Sequence, residues 1–427
     1  MKKMLAHLLV TLLLISAGTV YAADYYVAPT GSDSNNGSLG SPWATINHAD
    51  SVVVAGDTVH VLPGTYPESV QMTGASGTAN AHITFISDTR WGAVVTGNGS
   101  TAPAWQVRTA NYVDIVNFEI TNSTGYIGIE LLAIGDRAIG NLVHDVSGGC
   151  TLGQLTLGGA GINMARLTMA YDQEVSGNYI HDIGDPFNPH GCSLTHGIYV
   201  EEGTPPAGHF SGKVQNNVIY RVESDGITSY HCVNNMIISN NTVFEAGSSG
   251  ILVGGSDCSN VNGTIENNIV RHNGFHADCT FPAGPQCPNG KGVHLGNGGI
   301  LESGSTATNS FKTNLLYDNQ RAGVSDNTIA LIGGDGSTQS GTISGTDPLF
   351  VNYAIEVDAF PGTRLLAGDL HLQSGSPAID VGTSTNAPAT DFNGNSRPQG
   401  AGFDIGAYEF VTGSGVMRPT NLSATVK

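Results

Sequence analysis

An asparagine followed by two mostly apolar residues, and then by a ring or a charged side chain, occurs six times in this chain. The six asparagines are Asn141, Asn178, Asn217, Asn241, Asn268 and Asn314. The steps between them are 37, 39, 24, 27 and 46 residues, which indicates a unit of about 24 residues with insertions in the longer steps. A recurring unit of this length is typical of a solenoid, in which each unit packs only against its neighbours.

A Gly-Ile pair alternates with these asparagines along the chain. Its six occurrences begin at Gly128, Gly161, Gly197, Gly226, Gly250 and Gly299. Each unit therefore contains at least two short β-branched strands separated by turn residues, and it can bury a hydrophobic face only when successive units stack. The pattern predicts an all-β chain wound as a parallel β-helix. We expect the repeated asparagines to form a ladder of side-chain amides bonded to the backbone at one turn of every coil.

The N-terminus has the features of a secretory signal peptide. Lys2 and Lys3 precede an apolar run over residues 4–17, and Ala22 and Ala23 offer a small-residue cleavage site. The run is short for a membrane span, and no later apolar stretch is long enough to cross a bilayer. The predicted divisions are a signal peptide over 1–22, an N-terminal cap with the first coils over 23–100, β-helix repeats over 101–345, a C-terminal closing region over 346–411 and a tail over 412–427.

The chain is strongly acidic, with a formal net charge of −19 at pH 7. A surface of this charge repels polyanions, so nucleic acid is not expected as a partner. Carboxylates, amides and backbone carbonyls are the ligands that calcium prefers. Calcium is therefore the candidate cofactor.

Six cysteines lie in the repeat region of a chain that we expect to be exported, where disulfides are permitted. Cys279 and Cys287 bracket one insertion and are predicted to pair with each other. Cys232 and Cys258 lie about one coil apart and are predicted to join adjacent coils. The absence of a Cys-x-x-Cys motif from the sequence disfavours zinc and redox functions.

Three segments near the N-terminus carry a family resemblance. They are 25–33 (YYVAPTGSD), 41–46 (SPWATI) and 55–66 (AGDTVHVLPGTY). These segments resemble the N-terminal module of extracellular proteins of the pectate-lyase-like superfamily, which includes family 9-type polysaccharide lyases. The resemblance implies a single right-handed parallel β-helix that acts on an extracellular polysaccharide, and we expect it to be a monomer.

The C-terminal part carries a second resemblance. Its segments are 347–350 (DPLF), 375–382 (GSPAIDVG), 391–398 (DFNGNSRP) and 404–409 (DIGAYE). They are similar to the choice-of-anchor Q region that closes many bacterial secreted β-helix proteins. This resemblance implies a bacterial protein that is secreted or lies at the cell surface.

Strand alternation places a set of polar and aromatic side chains on one outer face. If Ile198 and Val200 point inward, Tyr199 and Glu201 point outward. The same argument turns Asn163 outward in the preceding coil. In the following coil it turns Thr228 and Tyr230 outward, with His231 next to them. We call this row of outward side chains the strip, and His196 and Asp225 are expected to lie at its edge. Rings beside polar groups suit a groove that binds sugars, although an ordinary solvated face of a polar solenoid would have the same pattern.

The resemblance implies a lyase mechanism with a Lys or Arg base and calcium. β-Elimination needs a base for the C5 proton of a uronic acid and a cation that neutralises the adjacent carboxylate. Lys213 and Arg221 are the predicted basic pair, acting with Glu201 and Asp225. The predicted calcium ligands are Glu201, Glu202, Glu223 and Asp225. The family 9 aspartate cluster around a catalytic lysine does not occur in the sequence.

Two other functions fit the same residues. A glycoside hydrolase could use Glu201 or Glu202 with Asp225 as its paired carboxylates, although the signatures typical of polygalacturonases do not occur in the sequence. A non-catalytic adhesin or glycan-binding protein would use the same groove without cleaving its ligand.

Two His-Asp pairs occur at matching positions in the asparagine repeat, His144-Asp145 and His181-Asp182. Because adjacent residues of a strand point to opposite faces, neither pair is expected to form a side-by-side dyad. We expect both histidines to stack on one face with Tyr220 and Phe244. A metal site made of His181, His190 and His196 is the alternative, and its spacing matches no known ligand pattern.

Overall fold

The structure is a computed structural model. It describes residues 22–147, 158–164, 170–184, 194–203, 205–254, 260–274, 277–282, 291–295, 298–303, 308–321, 324–332, 336–353 and 368–412. For 202–203, 277–282, 291–295, 321, 324 and 331–332 it describes the strand and not the side chains. The predicted signal peptide up to residue 21 and His190 lie outside these ranges.

Three long parallel sheets form the three walls of a solenoid, and each coil contributes one strand to each sheet in turn. Sheet 1 contains Val70–Met72, Trp105–Val107, Ile127–Leu131, Gly159–Met164, Thr195–Gly203, Ile227–Val233, Ile251–Gly254, Ile300–Ser303 and Ile329–Ile332. Sheet 2 contains Asp24–Val27, Thr58–Val61, Ile83–Ser87, Val113–Val116, Arg137–Ile139, Gln173–Ser176, Gly212–Gln215, Ile237–Ser239, Thr264–Glu266, Ser310–Lys312 and Thr338–Ser340. Sheet 3 contains Gly64–Tyr66, Ala93–Val95, Glu119–Asn122, Leu142–Val146, Tyr179–Ile183, Val218–Val222, Thr242–Ala246, Ile269–Arg271, Leu315–Tyr317 and Ile343–Ser344.

The remaining elements are short. One α-helix, Ile46–Asp50, lies near the N-terminal end, and Thr45 caps it by accepting a hydrogen bond from the His48 backbone N–H. Three antiparallel pairs join Ala277–Pro282 to Lys291–Leu295, Gln320–Arg321 to Val324–Ser325, and Phe350–Asn352 to Asp369–Leu372.

The predicted right-handed parallel β-helix is confirmed. No helix in these ranges is both long enough and apolar enough to cross a bilayer.

The inward positions of the coils align from strand to strand and build the core. On sheet 1, the isoleucine of each Gly-Ile pair lies in register with that of the next coil, as in the series Ile162, Ile198, Ile227 and Ile251. All four are fully buried. The glycine before the isoleucine leaves no room for a side chain. At Gly197, for example, a Cβ would lie 2.5 Å from the Gly226 carbonyl oxygen.

The predicted asparagine ladder is confirmed, and it lies at the turn between sheets 2 and 3. The Asn178 backbone N–H donates to Asn217 Oδ1 at 3.0 Å, and Asn178 Nδ2 donates to the same oxygen at 3.0 Å and to the Ala138 carbonyl at 2.9 Å. The pattern repeats through all six asparagines, which are fully buried. The ladder therefore satisfies buried backbone groups at a tight turn of every coil.

The C-terminal part of the described chain packs along the outer face of sheet 3. Its apolar residues Phe350, Leu370, Leu372, Ala378, Ile405, Ala407 and Tyr408 form one cluster with Leu142, Tyr179, Val218, Tyr220, Phe244, Ile269 and Leu315 of that sheet. A fully buried ion pair stands inside this region, with Arg397 Nη1 2.6 Å from Glu409 Oε1. Arg397 Nη2 also donates to Asn216 Oδ1 at 3.0 Å. Hydrogen bonds thus hold the region to the turn between sheets 2 and 3.

The predicted disulfides cannot be followed to both of their ends. Cys232 is not a free thiol. The side chains of the other five cysteines lie outside the described residues. Both pairings stay predictions.

Candidate functional site

The outer face of sheet 1 carries the predicted strip of polar and aromatic side chains. Asn163 lies in register with Tyr199, and Tyr199 with Thr228. Glu201 is paired with Tyr230 in the same two strands. The strip therefore forms one continuous row from coil to coil, as predicted.

Two further residues extend this strip toward the N-terminus, and the sequence analysis missed them. Gln106 and Glu130 occupy the same row as Asn163 in the two preceding coils. Gln106 Nε2 donates to Glu130 Oε2, and Asn163 Nδ2 donates to Glu130 Oε1 at 3.4 Å. The signal for Glu130 was present, because it follows the pair Gly128-Ile129 as Tyr199 follows Gly197-Ile198.

Asn163 has an acceptor that the protein does not use. Its side chain is buried, with 5% of the residue surface exposed, and within the described residues its Oδ1 atom has no hydrogen-bond partner. A buried amide oxygen without a donor is unfavourable. This oxygen is also closed to solvent, so a ligand would reach it only after neighbouring side chains move.

His196, Asp225 and Thr228 form a buried cluster at the edge of the strip. Thr228 Oγ1 lies 2.9 Å from His196 Nδ1, and Asp225 Oδ2 lies 3.4 Å from the same nitrogen. Asp225 Oδ1 accepts the Ser249 backbone N–H at 2.8 Å. Sequence position explains the cluster, since His196 and Asp225 each stand one residue before a Gly-Ile pair in neighbouring coils.

The cluster keeps Asp225 ionised. Burial by itself raises the pKa of this carboxyl, but the contact with His196 and the hydrogen bonds from Ser249 outweigh it and hold the pKa below its usual range. The ring of Tyr199 stacks on His196 at 4.7 Å between ring centres. These contacts leave His196 Nε2 as the ring nitrogen that neither Thr228 nor Asp225 engages.

The far end of the strip is less regular than alternation predicts. Tyr230 and His231 pack edge to face, with ring centres 4.7 Å apart. His231 and Cys232 both have left-handed backbone angles, with φ of 61° and 59°, so the regular alternation stops after Tyr230. The register to the neighbouring strand also shifts after Glu201.

Lys213 lies away from the strip, and the prediction that it belongs to this site is wrong. It stands on sheet 2, in register with Glu174 and Ile237. Its ammonium lies 5.1 Å from the centre of the Phe210 ring. The prediction failed because it used distance along the sequence, whereas each coil passes through three differently facing walls.

Arg221 is also misplaced in the prediction, because it stands on sheet 3. Its guanidinium donates to both carboxylate oxygens of Asp182, at 2.8 and 2.7 Å, and it is 4% exposed. Lys213 and Arg221 therefore lie on two different walls, and neither stands on sheet 1 with Glu201.

The predicted calcium ligands do not assemble into a site among the described residues. The carboxylate oxygens of Asp225 already contact Ser249, His196 and Thr228. Glu223 lies beyond the end of a sheet 3 strand, where a Cβ on Gly184 would meet its Oε2 at 2.3 Å. The Glu202 side chain lies outside the described residues, and within them no group of three or more His, Cys, Asp or Glu side chains is placed to hold a metal. Calcium stays a prediction.

Sheet 3 carries the stacked ladder that was predicted for the two histidines. His144 stacks on His181 at 5.0 Å, His181 on Tyr220 at 4.9 Å, and Tyr220 on Phe244 at 4.9 Å between ring centres. His181 and His196 stand on different sheets, which separates two members of the alternative metal site.

The expectation that neither His-Asp pair forms a side-by-side dyad is wrong. His144 Nδ1 lies 2.8 Å from Asp145 Oδ2, and His181 Nδ1 lies 2.6 Å from Asp182 Oδ2. Both aspartates have φ of 54°, which is a left-handed conformation. It turns their side chains back beside the preceding residue, so alternation does not apply there.

Three comparisons with known proteins agree with this fold. Residues 25–173 match the family described as Pel9A-like, right handed beta helix region. The crystal structure of pectate lyase Pel9A is similar with a TM-score of 0.55 and 17% identity, covering 92% of this chain and 97% of that one. The complex of XylC with xylose has a TM-score of 0.50 and 13% identity, covering 75% of this chain and 67% of that one.

A sequence relative matches over a short segment only. It is the uncharacterized protein YwoF of Bacillus subtilis (strain 168), which is 39% identical over 77 residues. That segment is 18% of this chain and 16% of the relative. Residues 25–173 are thus similar to a Pel9A-like right-handed β-helix region, and the chain has the right-handed parallel β-helix fold.

Proposed function

We propose that this chain, with the fold of the pectate-lyase-like superfamily, binds an extracellular polysaccharide along the outer face of sheet 1 and cleaves it. The observation that carries the proposal is the continuous row of Gln106, Glu130, Asn163, Tyr199 and Thr228, one residue per coil. A linear row of hydrogen-bonding groups with an aromatic ring suits a linear chain of sugars. The predicted signal peptide and the pectate lyase and xylose-bound relatives support an extracellular glycan.

Elimination from a uronic acid is the first candidate reaction. His196 is a candidate base on this face, and its Nε2 would accept the C5 proton because Nδ1 contacts Thr228 Oγ1. The C4–O4 bond then breaks as the C4=C5 double bond forms, and water protonates the leaving oxygen. The ionised Asp225 stabilises the positive charge that the ring gains. Lys213 and Arg221 lie on other sheets, so they do not neutralise the carboxylate of the substrate. The calcium requirement is for this reason part of the test.

Hydrolysis of a neutral glycan is the second candidate, and the charge of the site favours it. The strip and its edge contain the carboxylates of Glu130, Glu201 and Asp225. The described strands of sheet 1 contain no Lys or Arg. A groove of this charge attracts neutral sugars more readily than polyanions, and glycoside hydrolysis uses a pair of carboxylates.

The experiment is a screen of the purified mature protein against polygalacturonate, alginate and xylan, with and without a calcium chelator. Absorbance from unsaturated uronates identifies elimination, whereas new reducing ends without that absorbance identify hydrolysis. We expect His196→Ala to lower kcat at least about 100-fold if elimination occurs, and Glu130→Gln to do so if hydrolysis occurs. Thr84→Ala, on sheet 2, is the matched control and should keep wild-type rates.

Two results would overturn this proposal. Loss of activity in Lys213→Ala with full activity in both His196→Ala and Glu130→Gln would move the chemistry away from sheet 1. Binding of a glycan without cleavage of any would show a non-catalytic glycan-binding protein instead.

A further inference from the structure

A cavity of about 220 Å³ lies on the outer face of sheet 2, on a different wall from the strip. Its floor is Ile237 and Thr264, which are in register on adjacent strands, together with Met236. Ile237 and Met236 are buried, at 4% and 3% exposed. Phe210, from the segment before a sheet 2 strand, supplies an aromatic wall.

The rest of the lining is polar and is held in place by hydrogen bonds. Asn235 Nδ2 donates to the His209 carbonyl at 3.2 Å, and Asn262 Oδ1 accepts from Thr308 Oγ1 at 3.4 Å. Asn386 reaches the cavity from the C-terminal region. Its side chain donates to Glu266 Oε1 at 3.0 Å, and its carbonyl accepts from Gln215 Nε2 at 2.7 Å. The amides are therefore preorganised, which lowers the entropy cost of binding.

His209 is the one titratable side chain among the described lining residues, and it has a partner. His209 Nδ1 lies 2.5 Å from Asp172 Oδ2. The carboxylate of Glu266 accepts the Asn386 amide. Lys213, whose ammonium lies 5.1 Å from the centre of the Phe210 ring, is not one of the lining residues. The groups that remain for a ligand are one aromatic ring, apolar surface, amides and a hydroxyl.

We propose that this cavity is a second carbohydrate-binding site, which takes one neutral sugar ring. An aromatic face packs against the apolar C–H face of a sugar, and amide and hydroxyl groups can both donate to and accept from its hydroxyls. The volume lies below the roughly 300–1,000 Å³ of pockets for larger ligands, which suits a single ring. The absence of an unpaired charge among the described lining residues favours a neutral sugar over a uronate.

The inference does not rest on the proposed function. The cavity is on sheet 2 and the strip is on sheet 1, so the two sites can be tested separately. If both exist, the cavity would hold one part of a glycan chain while another part occupies the strip. This would raise the effective concentration of substrate at the strip.

The test uses the mature protein with methyl glycosides of xylose, glucose, galactose and mannose, and with galacturonic acid as the charged comparison. Saturation-transfer NMR detects binding, and titration gives the dissociation constant. Thr264→Trp fills the cavity and Phe210→Ala removes its ring. Thr84→Trp is the matched control, because Thr84 occupies the same outward row of sheet 2 several coils away. Circular dichroism checks that each variant is folded.

We expect at least one neutral glycoside to bind, with affinity reduced about tenfold or more, or 1.4 kcal/mol, in Thr264→Trp and in Phe210→Ala but not in Thr84→Trp. The proposal is overturned if no glycoside binds, if galacturonic acid binds better than every neutral sugar, or if Thr264→Trp binds as well as the wild type. Loss of binding in Tyr199→Ala together with full binding in Thr264→Trp would place the sugar in the strip instead.

Discussion

His144 stands half-buried beside two carboxylates on the outer face of sheet 3. Burial alone lowers the pKa of its imidazole, but hydrogen bonds to Asp145 at 2.8 Å and to Glu119 at 3.3 Å outweigh burial and raise the pKa to about 9. His181, stacked on it, has a lowered pKa because burial outweighs its bond to Asp182. At neutral pH the stack therefore pairs one charged ring with one neutral ring.

This difference predicts a pH-dependent stability. The pKa of His144 is higher in the folded protein, at about 9, than the roughly 6.5 of an unfolded histidine. Its contribution is therefore fully present below pH of about 6.5 and is lost as the pH rises through about 9. The contribution is at most about 3 kcal/mol, at 1.36 kcal/mol per pKa unit.

Urea unfolding of wild type and His144→Gln at several values of pH across this window measures the effect. We expect the difference in unfolding free energy between the two proteins to shrink as the pH rises. Glu119→Gln, which removes one of the two carboxylates, should have an intermediate effect. A difference that stays constant with pH would show that His144 is not charged in the folded state.

The two-residue period of a strand predicts the direction of a side chain where the backbone is regular, and it does not where the backbone turns left-handed. Tyr199 and Thr228 were placed correctly because strands have a strict two-residue period. The His144-Asp145 contact was not predicted because φ at Asp145 is positive. The same left-handed conformation recurs four residues after each of the six repeated asparagines, so the repeat marks the position. Lys213 and Arg221 were misplaced because the wall on which a residue stands depends on loop lengths, which vary from coil to coil.

At the level of elements, coil stacking on sheet 1 depends on glycine as much as on isoleucine. A Cβ on Gly197 would lie 2.5 Å from the Gly226 carbonyl oxygen and 2.6 Å from Ile219 Cγ2. The first atom belongs to the backbone of the next coil, and the second to the buried core. The carbonyl cannot move without disturbing its hydrogen bond from Ile198 N–H, which joins the two coils.

Gly197→Ala is therefore expected to destabilise the protein by about 2–3 kcal/mol, which is within the range for overpacking a core. Gly40→Ala is the matched control, since a Cβ on Gly40 would have no atom within 4 Å. Urea denaturation of both variants measures the effect. Equal stability of the two variants would contradict the proposed tight contact between coils.

At the level of the whole molecule, the C-terminal region is a second layer over one wall. Tyr220 and Phe244 are apolar outward residues of sheet 3, and the region buries them to 1% exposure. The sequence of this segment resembles a region that closes other β-helix proteins, which predicted that it closes the fold here. Which wall it covers did not follow from the sequence, because a contact such as Asn216 to Arg397 joins residues 181 apart.

The buried pair of Arg397 and Glu409 should hold this layer in place. Arg397→Ala leaves Glu409 buried without its counterion, which costs about 3–5 kcal/mol. We expect proteases to cut between residues 346 and 412 while the sheet signal in circular dichroism persists. The double variant Arg397→Met, Glu409→Leu removes both charges and should restore resistance, and Arg108→Ala at an exposed arginine should cause no change. Resistance in Arg397→Ala itself would show that apolar contacts alone hold the layer.

The layer formed by the C-terminal region is synthesised last among the described elements, and this affects how the chain folds. Residues 368–412 leave the ribosome after all the coils that they cover, so a nascent chain can wind its solenoid while the rings of Tyr220 and Phe244 still face water. The growing polypeptide is most exposed to aggregation during that interval, which ends when residues 368–412 pack over sheet 3.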